Sequence, residues 1–138
     1  AFELARDFLL AREQFGRPIA EFQGLQWMLA DMSIGVDSAR LMIGRAGRSE
    51  GAEGFPDMTM AAQAKILAAE TAVKVTGEAL QMHGAAGYSR DLPLERIARD
   101  ARMFTIGGGT AQILRNQVAG ALLGIPNPQT RDGRARAA

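Results

Sequence analysis

The stretch Phe22-Gln-Gly-Leu-Gln-Trp-Met-Leu-Ala-Asp-Met-Ser-Ile-Gly-Val-Asp-Ser-Ala-Arg-Leu-Met-Ile-Gly-Arg-Ala-Gly-Arg48 decides the fold. Within it Leu25, Leu29, Met32, Val36, Ala39, Ile43 and Ala46 recur at alternating spacings of four and three residues. That repeat draws apolar side chains into one seam, as in a long helix packed nearly parallel to its neighbours. The spacing predicts a helix over Phe22–Arg48, stopped by Gly51 and Gly54.

The same period continues on both sides. Asp57–Met82 carries Ala61, Ala64, Ala68, Ala72, Val75 and Ala79 along one side, a stripe small enough to let a partner helix come close. Phe2–Phe15 reads as a helix without a capping residue before it, so it is expected to begin inside a longer element. Gly16, Pro18 and Ile19 form a first turn, and Gly84–Asp91 a second, glycine-rich connection. Leu92–Met103 is a short helix with Pro93 in its first turn, where the missing N–H costs nothing. Thr110–Leu123 is the last helix, ended by Gly124 and Pro126. No strand-like alternation and no internal repeat stands out. The expected fold is all-α: an up-and-down four-helix bundle with an additional short helix over residues 1–125, followed by a polar tail at 126–138.

Composition narrows the classes of function. A chain of 138 residues is one ordinary domain, able to bury roughly two-thirds of its unfolded surface. A net charge of +1 gives no electrostatic footprint for nucleic acid or an acidic membrane. Charges interrupt every apolar run before it could span a bilayer, and no secretory signal pattern is visible. The expected location is therefore cytoplasmic. The absence of cysteine excludes disulfides and thiolate metal sites, and a single histidine, His83, excludes a multi-histidine one, so no metal site is expected.

Chemistry concentrates in Ile106-Gly107-Gly108-Gly109-Thr110-Ala111-Gln112-Ile113-Leu114-Arg115. Glycines allow close backbone approach to a ligand, and free N–H groups at a helix start favour electron-rich atoms. Arg12, beside the Gly16 turn, offers a fixed fork of donors suited to a pyrophosphate, or a surface pair with Glu13 or Asp7. Gln81–Ala85 ends a helix and exposes backbone groups, with Gly84 as its left-handed cap. No nucleophile or orienting carboxylate lies near His83 in sequence, which favours a structural histidine over a base. Lys65 in the alanine-rich helix is expected to snorkel to solvent, a buried partner being the alternative; Trp27, Met28, Met32 and Met42 are core or subunit-contact candidates.

Four blocks, in order, resemble the carboxy-terminal helical domain of acyl-CoA dehydrogenases across nearly the whole chain. They are Arg12-Glu-Gln-Phe15-Gly16-Arg-Pro18-Ile19 continuing to Gln23 and Leu29-Ala-Asp-Met32; Ala62-Gln-Ala64-Lys65; Gln81-Met-His-Gly84-Ala-Ala-Gly87-Tyr88 with Pro93-Leu-Glu95-Arg96 and Arg99-Asp-Ala101; and the glycine segment. The resemblance implies FAD as cofactor and an acyl-CoA substrate oxidised to its trans-2-enoyl thioester. It implies that Arg12, Gln14, Phe15 and Gln23 contact the flavin cofactor of a neighbouring subunit of the same family. It assigns Gln81, Met82, His83, Gly84 and Ala85 to the adenine half, although this chain has Gly84-Ala85 where paired glycines are usual. Thr110, Ala111 and Gln112 would face the cofactor, Gly109 would line the thioester site, and an electron-transfer flavoprotein would take the electrons.

The family's catalytic glutamate belongs to a Glu-Gly-Thr sequence, and here Gly108 stands in its place. Glycine takes no proton, so no catalytic residue is assigned within the chain. Three explanations compete: a base from the first helix of the domain, lying before Ala1; a base-free subunit paired with a competent one; or different flavin chemistry. A non-catalytic helical interaction domain is the alternative outside enzymes. On the enzyme reading, the isolated domain is expected to bind FAD weakly or not at all and to turn over nothing, and its uncovered apolar faces to drive dimerisation or tetramerisation.

Overall fold

A computed structural model describes residues 1–51 and 54–125. The expected tail at 126–138, including Pro126, lies outside the described residues. Among the described residues six α-helices form in the order α1 (Phe2–Ala11), α2 (Gln23–Gly47), α3 (Met58–His83), α4 (Ala85–Tyr88), α5 (Leu94–Met103) and α6 (Ala111–Leu123). The all-α expectation holds, and among the described residues strand pairing is confined to one two-residue ladder, β1 (Glu13–Gln14) against β2 (Arg17–Pro18).

The long helix α3 is the axis of the domain. Helices α1, α2, α4, α5 and α6 all pack on it, so it is approached from several directions. Its sequence permits this: the buried residues Ala62, Ala64, Ala69, Val75, Thr76, Ala79, Met82 and His83 are mostly small and do not keep to one narrow stripe. Of the stripe expected from the sequence, Ala64, Val75 and Ala79 are buried, whereas Ala61 is exposed. The Asp57 side chain caps the helix by accepting from the Met60 N–H at 2.8 Å. Ser49 fixes the approach to that cap, donating to the Ala46 carbonyl (2.6 Å) and accepting from the Asp57 N–H (2.8 Å).

In α2 the seam buries Met32, Ala39 and Ala46 and half-buries Leu25, Leu29 and Val36, while Ile43 is turned out. The main core gathers where α1 crosses α2 and α3: Ala5, Leu9, Ile19, Met32, Val75, Ala79, Met82 and Leu94 form one buried cluster. Trp27, expected in the core or at a subunit contact, is largely exposed in the single chain, so core packing is excluded.

Three local expectations are corrected. Helix α1 ends at Ala11 and not at Phe15, because Arg12 turns extended and its carbonyl accepts from the Ile19 N–H at 2.8 Å, closing a hairpin. Phe15 and Gly16 both take positive φ (53° and 75°), the mirror-image turn that a two-residue hairpin needs to match strand twist. The connection after Gly84 contains a short helix, Ala85–Tyr88, and the helix expected from Leu92 begins at Leu94 with Pro93 as its cap.

Leu94 is fully buried in the shared core. Its replacement by alanine leaves a cavity that rigid helices cannot close, so Leu94→Ala is expected to lower the unfolding free energy by about 2–5 kcal/mol, measured by chemical denaturation. A loss below about 1 kcal/mol would mean the helices can collapse around the gap.

Candidate functional site

The glycine segment hangs between α5 and α6 and is held by backbone bonds at its edges. Ile106 and Gly107 donate to the Met103 carbonyl (2.9 and 2.8 Å), and Ala111 donates back to the Thr105 carbonyl (3.1 Å). Between these ties Gly108 and Gly109 adopt φ of +68° and +90°, which L side chains rarely enter. Thr110 then caps α6, its Oγ1 accepting from the Ile113 N–H at 3.2 Å. The N–H groups of Thr110 and Gln112 find no acceptor among the described residues.

Two side chains of α3 reach this segment, and neither was assigned a part in it from sequence. Lys65 Nζ donates to the Gly109 carbonyl, a contact spanning 44 positions of the chain. The half-exposed Glu70 receives Arg115, whose Nη2 lies 2.7 Å from each carboxylate oxygen. This pair sets α6 against α3, and Val118 and Leu122 further along α6 share a groove with Leu67 and Gln63, so the two helices run antiparallel. The only sequence signal was the place of Lys65 in the second block; the partners are not deducible from it.

Thr110, Ala111 and Gln112 line a cleft of ≈ 240 Å³ with Thr105, Arg102 and Glu70. Glu70 is its only carboxylate among the described residues, and it is committed to Arg115. A Cβ added at Gly108 would meet nothing within 4 Å, so the position has room for a side chain but holds no acid. On another face an apolar groove of ≈ 530 Å³ runs between α2 and α3, bordered by Lys65 and Phe104.

The other candidate residues gather at the far end of α3. Gln81 lies eight residues beyond Val73 of the cleft, about 12 Å along the helix axis. His83 is buried, stacks on Phe8 with ring centroids 4.1 Å apart, and places Nδ1 2.7 Å from the Ala79 carbonyl oxygen. Its ring is thus engaged inside the core; Met82 is buried beside it, while Gln81, Gly84 and Ala85 are exposed. In the hairpin Arg12 and Gln14 are exposed, Phe15 is 91% exposed, and Gln23 is exposed at the start of α2. Phe15 meets Phe22 edge-on at 6.1 Å, and Arg17 lies 4.4 Å over the Phe22 ring. A large aromatic ring held in solvent on left-handed backbone is a costly arrangement for the domain alone. Gln81, Gly84 and Ala85 and the hairpin residues Arg12, Gln14 and Phe15 thus stay open among the described residues. No helix is long and apolar enough to cross a membrane, and no group of three metal-ligand side chains occurs, both among the described residues.

Comparison with known proteins places this geometry in a family. The model of the acyl-CoA dehydrogenase C-terminal domain matches residues 1–123. The chain belongs to the acyl-CoA dehydrogenase family, as its C-terminal helical domain. It is 70% identical over 131 residues to a 3-sulfinopropanoyl-CoA desulfinase of Paraburkholderia xenovorans (strain LB400), covering 95% of this chain and 33% of that protein. A protein of the same name from Variovorax paradoxus is 63% identical over 138 residues, covering 100% of this chain and 34% of the relative. Among solved structures, butyryl-CoA dehydrogenase from Megasphaera elsdenii superposes with a TM-score of 0.82 at 36% identity, covering 88% of this chain and 32% of that one. The chain thus spans about a third of the length of the curated relatives it matches.

Because the Phe15 ring is nearly free of contacts, its packing contributes little to the domain. Phe15→Asn, which suits left-handed backbone, is expected to leave the unfolding free energy unchanged or raise it by up to about 1 kcal/mol in thermal denaturation. A clear loss of stability would show that the ring packs inside the domain.

Proposed function

We propose that this chain is the helical domain of an FAD-dependent enzyme that removes the sulfino group from 3-sulfinopropanoyl-CoA. The observation that carries the reading is Gly108: where the resembling segment bears a proton-accepting glutamate, this chain has left-handed glycine. Relatives at 63–70% identity bear the desulfinase name, which supports the same reading. Dehydrogenation requires a base at the α carbon, and the one carboxylate that lines the cleft among the described residues is taken by Arg115.

Desulfination makes no such demand. The C–S bond at the β carbon breaks with its electron pair left on carbon. Sulfur departs as sulfur dioxide, which adds water to give bisulfite and a proton, and a proton goes to the β carbon. The sum is 3-sulfinopropanoyl-CoA plus water giving propanoyl-CoA plus bisulfite. No net electrons leave, so this reaction has no need of an electron-transfer flavoprotein or other acceptor.

The residues present fit a flavin. The unpaired Thr110 and Gln112 N–H groups can donate to ring heteroatoms or a thioester carbonyl, and glycine at 108 and 109 lets a flat ligand approach. The exposed Arg12 fork suits a pyrophosphate, and the exposed Phe15 ring gives an apolar face. When bound, FAD would supply an electron-poor ring that stabilises the negative charge left on the β carbon as the bond breaks. The hairpin residues Arg12, Gln14, Phe15 and Gln23 would hold the cofactor of a neighbouring subunit, with Gln81–Ala85 on its adenine side. Gly109 would line the thioester site. A second subunit of the same family accounts for the exposed Trp27, Leu41 and Tyr88, which one chain leaves uncovered.

The dehydrogenase reading, with a base supplied from before Ala1, keeps support from a short-chain acyl-CoA dehydrogenase of Clostridium acetobutylicum, 41% identical over 122 residues. The full-length flavoprotein decides between them. Given 3-sulfinopropanoyl-CoA it is expected to release one sulfite per propanoyl-CoA with no electron acceptor added. Acceptor-dependent conversion of saturated acyl-CoA to enoyl-CoA, without sulfite release from the sulfino substrate, would reject desulfination. Gly108→Glu in the same protein is expected to cost about 1–2 kcal/mol of stability from the left-handed backbone and to confer slow, acceptor-dependent oxidation of propanoyl-CoA. An unchanged reaction profile would show that position 108 does not face the substrate.

A further inference from the structure

We propose that Lys65 is a positioning residue for the cofactor and thioester site: by holding the Gly109 carbonyl, it turns the Thr110 N–H of the same peptide unit toward the cleft. The bond itself is independent of the desulfinase reading; only the identity of what the N–H meets rests on the flavin site.

The geometry follows from peptide planarity. No cis peptide bond occurs among the described residues, so the Gly109 carbonyl and the Thr110 N–H point in opposite directions from one rigid plane. Lys65 and Phe104 border the apolar groove, whereas Thr110 and Gln112 line the cleft. With the carbonyl drawn to Lys65, the N–H is directed away from it. The same N–H has no acceptor among the described residues, as a group reserved for a ligand would.

Such a peptide needs a fixing contact. Glycine at 107, 108 and 109 offers no side chain to set the orientation, and rotation of the Gly109–Thr110 peptide meets little steric resistance at Gly109. Helix α3 provides the anchor, because the buried Ala62, Ala64 and Ala69 around Lys65 seat it firmly in the domain. The ammonium adds more than a strut. A charge-assisted bond to the carbonyl polarises the peptide and makes the opposite N–H a better donor to developing negative charge.

The test uses the full-length flavoprotein with Lys65→Met, which keeps length and apolar stem but removes the donor, and Lys65→Arg, which restores a cationic donor. Hydrogen exchange and steady-state kinetics per bound flavin are read on whichever CoA thioester the parent protein turns over. Lys65→Met is expected to speed amide exchange across residues 107–112 while α2 and α5 keep their protection. It is also expected to lower kcat on the order of 10²-fold with little change in KM, and Lys65→Arg to recover most of that loss. A Lys65→Met holoprotein with kcat within about threefold of the parent and unchanged exchange at 107–112 would overturn the proposal. Failure of both variants to give folded holoprotein would overturn it too, because Lys65 would then be a support of the bundle. A parent enzyme that binds flavin but releases no sulfite defeats the desulfinase reading alone, and leaves the exchange measurement to judge Lys65.

Discussion

Everything in this domain leans on α3, and α3 can be leaned on because its side chains are small. A helix approached by five others cannot carry large residues toward each of them; alanine at 62, 64, 69 and 79 lets neighbouring backbones come close. Alanine also has the highest helix propensity, so the residues that permit close approach are those that keep the helix intact. Larger residues are reserved for where α1, α2 and α5 meet it, and Leu9, Met32 and Leu94 are fully buried there. The Asp57 cap at one end and Gly84 at the other fix its length; Gly84 has positive φ (56°) but ψ of −135°, so it ends the helix outside the αL conformation expected of it.

The same helix organises the functional surface. Lys65 and Glu70 carry its influence to the glycine segment and to α6, and His83 carries it to α1 through the Phe8 stack. The segment from Gly107 to Thr110 is tied by backbone bonds at its edges, and Lys65 of α3 adds a contact to the Gly109 carbonyl between them. The hairpin at Phe15 presents the opposite case. Its backbone is fixed by the Glu13–Pro18 ladder, while its aromatic ring stands in solvent. A conformation that costs the single chain energy and returns little within it is intelligible if a partner subunit or cofactor covers the ring.

Much of the fold was legible because helical period depends on local spacing. The seam in α2, the cap at Thr110 and the breaks at Gly84 and Gly124 are each written within a few neighbouring residues. The hairpin was not legible, since Glu13–Gln14 and Arg17–Pro18 are too short to show alternation and the run before them is helical. Nor was the exposure of Ile43 and Trp27, because apolar side chains look alike whether they meet this chain or another. Within the site, Thr110–Gln112 and the glycines could be found by chemistry, but the two α3 side chains that reach them could not.

The amino-acid sequence by itself determined an all-helical domain, its two long helices, and the absence of a proton acceptor at position 108. Each of these depends on residue identity or on spacing within a few turns. Tertiary structure decided that Lys65 meets the Gly109 carbonyl, that Glu70 is occupied by Arg115, and that the His83 ring is spent on the core. Those pairings join residues between 44 and 75 positions apart, and only the packing of helices against α3 selects them from the many that charge and size would allow.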